Sequence, residues 1–296
     1  MKKVKGFLQL MRPANIVTSV SDVLAGIAIS GFLINTNFSS DDIFPAMLLC
    51  ISTIGLYGGG VVFNDVFDAA LDKIERPERP IPKGIVTITE AAILGSALLL
   101  AGMVTAAFVS KVSCLLAVSI AIAALIYNKW SKHHVWAGPL NMGLCRGLNL
   151  LLGISVVISS ISEWWFLAIV PIIYIAAITM ISRGEVHGGS KRTLYVAGLL
   201  YCIVIVAILL LSHTKGKLLW TTIFLLPFAW MIFSALIKAI RTPAPQNIGK
   251  AVKAGVIALI LMNAAWAAAF GMTGLAFLII LLLPLSLWLA KVFAVT

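Results

Sequence analysis

Apolar runs of about twenty residues, separated by short polar stretches, repeat along the whole chain. Ten runs stand at roughly 14–34, 44–64, 88–109, 112–127, 138–159, 163–182, 193–212, 218–238, 251–270 and 274–293. All but the shorter 112–127 match the length a helix needs to cross the hydrocarbon layer, whereas barrel strands would alternate over roughly ten residues. The expected fold class is therefore an all-α polytopic membrane protein of nine to ten transmembrane helices. The Met1–Lys5 stretch has the charge of a signal peptide's start, but Asn15 and Asp22 interrupt the run after Arg12, so the segment is read as retained.

Charge orients the runs. With the N-terminus inside, eighteen of the 22 Lys and Arg fall in cytoplasmic segments; only Lys111, Lys215 and Lys217 fall outside, and Arg146 lies within a run. Both termini are expected to be cytoplasmic, in a bacterial inner (plasma) membrane. The composition, 61% hydrophobic and 11% charged, lies outside the range of soluble domains. The net charge of +11 is accounted for by this loop asymmetry, so no nucleic-acid partner is expected. Cys50, Cys114, Cys145 and Cys202 all sit in apolar runs without metal or redox spacing and read as small packing residues.

Two polar loops stand out, 120 residues apart, as though one four-helix unit recurs: Asp65 follows the second run and Glu185 the sixth. The first loop reads Asn64-Asp65-Val66-Phe67-Asp68-Ala69-Ala70-Leu71-Asp72-Lys73-Ile74-Glu75-Arg76-Pro77-Glu78-Arg79-Pro80. On a helix, Asn64, Asp68 and Asp72 share one face and Asp65 lies beside them, a clustering of like charge that calls for a cation. For hard oxygen ligands that cation is Mg²⁺, which also takes phosphate oxygens. Pro77 is expected to end the helix, and Arg76, Arg79 and Lys83 follow with donors suited to a diphosphate. The second loop, Ser182-Arg183-Gly184-Glu185-Val186-His187-Gly188-Gly189-Ser190-Lys191-Arg192-Thr193, adds cations and close-approaching glycine backbone, with Glu185 and His187 as candidate ligand or proton carrier. Asp22 and Arg146, counted from the cytoplasmic starts of their runs, both lie about 12 Å deep and are expected to meet. Asn15, Asn141 and Asn149 lie on or near the same two helices.

With these residues in view, the chain resembles the UbiA superfamily of intramembrane prenyltransferases over essentially its whole length. The NDxxDxxxDxxxRxxRP form of the first loop carries the resemblance, supported by Arg12-Pro13-Ala14-Asn15 and Tyr127-Asn128-Lys129. The second loop, with Cys145-Arg146-Gly147-Leu148-Asn149 and the segment from Gln246 to Lys253, looks most like the EboC-type branch. The resemblance implies two four-helix groups around a central cavity, in one transmembrane prenyltransferase domain over 1–296, with a first half 1–137 and a second half 138–296. It implies Mg²⁺-dependent transfer of a prenyl group from an isoprenyl diphosphate of C10–C20 to a small acceptor of unknown identity, among membrane lipid. Asn64, Asp65, Asp68, Asp72 and Glu185 would be metal ligands, with Asp68, Asp72 and Glu185 catalytic. Arg76, Arg79, Lys129, Arg183, Lys191 and Arg192 would hold the diphosphate, while Asn15, Asp22, Arg146, Asn149 and His187 would line the acceptor cavity. Two departures stand out: Glu185 alone keeps a carboxylate where most members have a second DxxxD-type cluster, and ten runs exceed the family's usual nine.

Two other classes compete. A non-catalytic lipid or isoprenoid transporter would use Asp22 and Arg146 as a pathway, but it would more often place its polar site near the midplane. An alcohol phosphotransferase would carry a DGxxAR core, which this sequence lacks.

Overall fold

The computed structural model describes residues 2–34, 43–185 and 188–293, and within them the chain is helical without strands. The helices are α1 (Lys2–Met11), α2 (Pro13–Ser30), α3 (Ile43–Phe67), α4 (Ala69–Glu75), α5 (Ile88–Val109), α6 (Lys111–Lys129), α7 (Ala137–Ile154), α8 (Ile158–Trp164), α9 (Ile169–Ser182), α10 (Lys191–Thr214), α11 (Leu218–Arg241), α12 (Pro245–Ala269) and α13 (Thr273–Val292). Among the described residues nine helical segments are long and apolar enough to span a membrane, α8 and α9 forming one of them through a 3₁₀ turn. The tenth expected run is α7. It is eighteen residues long and packs on α2, α6 and α9, but Asn141, Arg146 and Asn149 dilute its apolar character.

Two helices form the centre. Most of α2 and α12 is buried, because α2 packs on α3, α7, α12 and α13, while α12 also packs on α9 and α11. Around them α3, α5 and α6 make one group, and α9, α10 and α11 the other. The outer helices turn residues such as Leu100, Phe108, Leu210 and Leu219 outward, as expected of a surface solvated by lipid.

Helix crossings at the centre depend on missing side chains. A Cβ on Gly153 would stand 2.2 Å from the Val23 carbonyl oxygen, and one on Gly26 2.3 Å from that of Leu150. Small residues of this kind let membrane helices approach backbone to backbone, where packing rather than the hydrophobic effect drives association.

The turns sort into two ends. At one end Lys132 pairs with Asp68, Arg183 donates to the His134 carbonyl at 2.6 Å, and Gly189 N–H donates to the Pro243 carbonyl at 3.2 Å. At the other, Ser113 and Ser155 hydroxyls meet at 2.8 Å, Ser160 donates to the Ser30 carbonyl, and Lys215 lies over Trp164 and Phe270. All the loops read as cytoplasmic therefore share one end.

Replacing Gly153 by Leu should force α7 off α2. A loss of roughly 1–3 kcal/mol or more, read as a lower thermal unfolding midpoint in detergent, is expected; an unchanged midpoint would contradict the close crossing.

Candidate active site

The first polar loop is held by its own small core. α3 ends at Phe67, Asp68 makes a one-residue turn, and α4 continues to Glu75, with the i to i+4 bonds Asp68 N to Asn64 O and Asp72 N to Asp68 O bridging the break. Arg76, which precedes Pro77, leaves the helix at φ −141°, as the steric demand of proline requires. The segment after it folds back on α1: Leu10, Val62, Ala69, Ile81, Val86 and Ala91 form a buried cluster. A capping box between Thr87 and Glu90 then starts α5, and Lys3 of α1 reaches Glu90 at 2.6 Å.

This packing fixes a lattice of charge. Arg79 Nη1 lies 3.1 Å from Asp65 and 2.8 Å from Asp72, and Arg12 Nη2 lies 2.8 Å from the same Asp65 oxygen. Lys132 pairs with Asp68. Each carboxylate of the motif face thus has a cation supplied by the chain itself. Clustered charge alone does not require a metal here, and among the described residues no group of three acidic, His or Cys side chains is arranged to hold one.

Arg12 reaches this position at a cost. It is the non-glycine residue with positive φ (50°) among those described, and Pro13 follows it, a combination disfavoured on both counts. The kink separates α1 from α2 and points Arg12 into the site. Strain retained at such a place is characteristic of functional positions.

A cavity of about 350 Å³ opens among α2, α3, α6, α7, α9 and α12. Its polar wall includes Arg12, Asn15, Asn64, Arg76, Glu185 and Lys253. Partial burial pushes the Glu185 carboxyl above the ordinary range, while Arg76 and then Arg12 pull it back. Tyr57 and Tyr127 also face the cavity, with Leu56, Ile120, Ile175 and Ile178 forming apolar walls.

Below the cavity sits a second polar cluster. Arg146 Nη1 donates to Asp22 Oδ2 at 2.6 Å and Nη2 to Thr18 at 2.8 Å, and the guanidinium lies 4.9 Å from the Tyr57 ring. Asn149 Nδ2 donates to Asp22 Oδ2 (3.1 Å) and to the Ser19 carbonyl, while its Oδ1 accepts from Thr53. Asn263 Nδ2 donates to Asp22 Oδ1 at 2.7 Å. The pair expected from matching depth is thus joined, and four helices contribute to it.

The residues singled out in the sequence divide into three sets. Asn15, Asn64, Arg76, Arg146, Asn149 and Glu185 line the cavity; Asp22 lies behind it, and Asp65, Asp72 and Arg79 are buried in the lattice beside it. Asp68 is one turn from Asn64 and held by Lys132. Lys129 stacks on Trp130, Arg183 is committed to His134, and Lys191 and Arg192 are exposed on α10, none of them on the cavity wall. His187 lies outside the described residues. Sequence reasoning gives Arg12, Lys132, Lys253 and Asn263 no role in the site: Arg12 and Lys253 stand in motifs that carry the family resemblance, whereas Lys132 and Asn263 meet partners 64 and 241 positions away and no local pattern marks them.

The model of the UbiA prenyltransferase family matches residues 23–254. The chain belongs to the UbiA prenyltransferase family. A curated relative, digeranylgeranylglyceryl phosphate synthase of Methanothrix thermoacetophila, is 33% identical over 146 residues, 49% of this chain and 52% of that protein. The chain thus spans about half the length of that relative. Among solved structures, a UbiA homologue from Aeropyrum pernix K1 superimposes with TM-score 0.68 at 16% identity, covering 84% of this chain and 96% of that one. A homologue from Archaeoglobus fulgidus, bound to DMAPP and Mg²⁺, gives TM-score 0.56 at 18% identity over 90% and 99%. These likenesses establish the all-α UbiA fold for this family member.

Neutralising either Asp22 or Arg146 should destabilise this family member by about 3–5 kcal/mol, since the remaining charge is left buried. Exchanging the two should not rescue it, because Asn149 and Asn263 would then donate toward a guanidinium. A charge-swapped double variant with a wild-type thermal midpoint would show that the pair, and not the network, carries the stability.

Proposed function

We propose that this family member transfers a prenyl group from an isoprenyl diphosphate to an acceptor within the membrane. The observation that carries the reading is the composition of one cavity. Arg12, Arg76 and Lys253 stand at its mouth against the lone carboxylate of Glu185, above a chamber of tyrosine and aliphatic walls. That order suits an anionic head and an apolar tail. The donor class is supported by the family, and by homologues solved with DMAPP or GPP and Mg²⁺.

The donor set fits a Mg²⁺ shared with substrate. Asn64 and Glu185 line the cavity and carry oxygen donors, Asp68 lies one turn from Asn64 against Lys132, and diphosphate oxygens would supply the other hard ligands. When bound, the ion would supply electrostatic stabilisation of the leaving diphosphate.

The chain's own residues do the rest. As the allylic C–O bond breaks, negative charge grows on the diphosphate, and Arg76, Arg12 and Lys253 are positioned to receive it. Positive charge grows on the allylic carbon, toward which Tyr57 and Tyr127 can turn their π faces. The acceptor nucleophile then bonds to that carbon and loses its proton. Arg79, Asp65 and Asp72 hold Arg12 and the motif helix in place and need not touch substrate. Relatives named digeranylgeranylglyceryl phosphate synthase favour a phosphate-bearing glyceryl lipid as the acceptor class. We place the cavity mouth and both termini on the cytoplasmic side of the cell membrane, on the strength of the cation distribution.

Purified protein given labelled C10, C15 and C20 diphosphates with Mg²⁺ and a glyceryl phosphate lipid should form labelled lipid. Arg76→Ala and Asn64→Ala should each slow turnover by about 100-fold, the scale of removing one transition-state contact. Wild-type rates from both would overturn the assignment of the cavity.

Glu185→Gln should raise the Mg²⁺ concentration needed for half-maximal binding of the diphosphate, read directly by calorimetry, and EDTA should abolish binding in both proteins. Asp72→Asn should instead lower the thermal midpoint while leaving the Mg²⁺ requirement near wild type. Unchanged Mg²⁺ dependence in Glu185→Gln would confine the second loop to covering the cavity.

A further inference from the structure

After Glu185 the chain carries nine Lys and Arg residues and no Asp or Glu through Thr296. Positive charge in this half has no carboxylate of its own segment to pair with, and among the described residues it forms no ion pair with the first half either. Two of these cations share a groove. Between α11 and α12, opening at the active-site end, lies a depression of about 370 Å³ lined by Trp230, Met231, Ser234, Lys238, Asn247 and Lys250 among others.

The lining is ordered by depth. Lys238 and Lys250 stand at the end of the helices, Ser234 and Asn247 offer polar groups beside them, and Trp230 with Met231 lies deeper along α11. Trp230 lies eight residues before Lys238, about 12 Å along the helix, so the ring sits below the level of the ammonium groups. Trp230 is 77% exposed although it lies within a spanning helix, so its ring is presented outward to lipid. This groove is distinct from the active-site cavity: α12 turns Gly249, Val252, Lys253 and Val256 to the cavity and Asn247, Lys250 and Ala254 to the groove.

We propose that the groove is a binding site for an anionic phospholipid of the surrounding leaflet, with Lys238 and Lys250 on its phosphate and Trp230 and Met231 against its first acyl carbons. Basic pockets between membrane helices recognise lipid phosphates in this way. A soluble partner would not reach Trp230 through the headgroups. A second copy would bring an equally positive groove, which like charge disfavours.

The full-length protein, delipidated in neutral detergent, is titrated with phosphatidylglycerol, phosphatidylcholine or inorganic phosphate, and bound lipid is counted by native mass spectrometry. One phosphatidylglycerol should be retained in preference to phosphatidylcholine. Lys238→Gln with Lys250→Gln should weaken that retention roughly 30-fold, the effect of two headgroup cations. A control of equal charge change, Lys2→Gln with Lys291→Gln, should leave it near wild type, and Trp230→Ala should weaken long-chain lipid more than a short-chain analogue. Equal losses in the two double variants would overturn the site. Competition by millimolar inorganic phosphate would overturn the lipid assignment in favour of a free phosphate site.

Discussion

A charge cannot be left alone in hydrocarbon, and the structure is built around the way one such charge is settled. Arg146 on α7 and Asp22 on α2 are 5% and 1% exposed, and their ion pair is completed by Thr18, Asn149 and Asn263. Thr53 on α3 joins through Asn149. The network therefore fastens α2, α3, α7 and α12 at one level, and the close glycine crossing of α2 with α7 holds two of them near enough for it to form. The cavity lies directly over this junction, so its floor is as rigid as the polar network beneath it.

A second settlement of charge shapes the mouth. Asp65, Asp68 and Asp72 are each paired with Arg12, Arg79 or Lys132, which turns a repulsive cluster into a scaffold. Arg12 also lines the cavity, where Arg76 and Lys253 stand without such a partner among the described residues, and Glu185 is the carboxylate that faces them there. The same motif thus holds one cation paired with its acids, Arg79, and one that faces the cavity, Arg76, and their division follows from the turn at Pro77. Arg76 leaves the helix toward the cavity, whereas Arg79 is folded back against the acids by the apolar packing of α1 on Ile81 and Val86.

Much of this could be read from letters alone, because membrane helices announce themselves by length and apolar content. The spans, the proline stop after Arg76 and the meeting of Asp22 with Arg146 all rest on local composition or on depth, which one-dimensional counting captures. α7 has the length of a span, yet Arg146 and Asn149 lower its apolarity because they face the cavity instead of lipid. What counting does not capture is pairing across the fold. Lys132 looks like any loop lysine until it is seen on Asp68, and Asn263 like any core amide until it is seen on Asp22. Lys129, Arg183, Lys191 and Arg192 look equivalent to Arg76 as phosphate donors, but helix phase and loop path direct them elsewhere. Clustered carboxylates likewise call for cations, but a count of acids does not tell that Arg12, Arg79 and Lys132 are among those the fold brings to them.

The central claim is that the cavity receives the head of an isoprenyl diphosphate at Arg76 and Asn64, with the tail over Tyr57 and Tyr127. A cryo-electron microscopy structure of the full chain with an unreactive thiolodiphosphate analogue and Mg²⁺ tests it most directly. The account predicts phosphate oxygens in hydrogen-bond contact with Arg76, a metal bridging them to Asn64 or Glu185, and the isoprenoid chain running down the tyrosine-lined wall. Diphosphate density away from Arg76, or a tail lying outside the cavity, would contradict it.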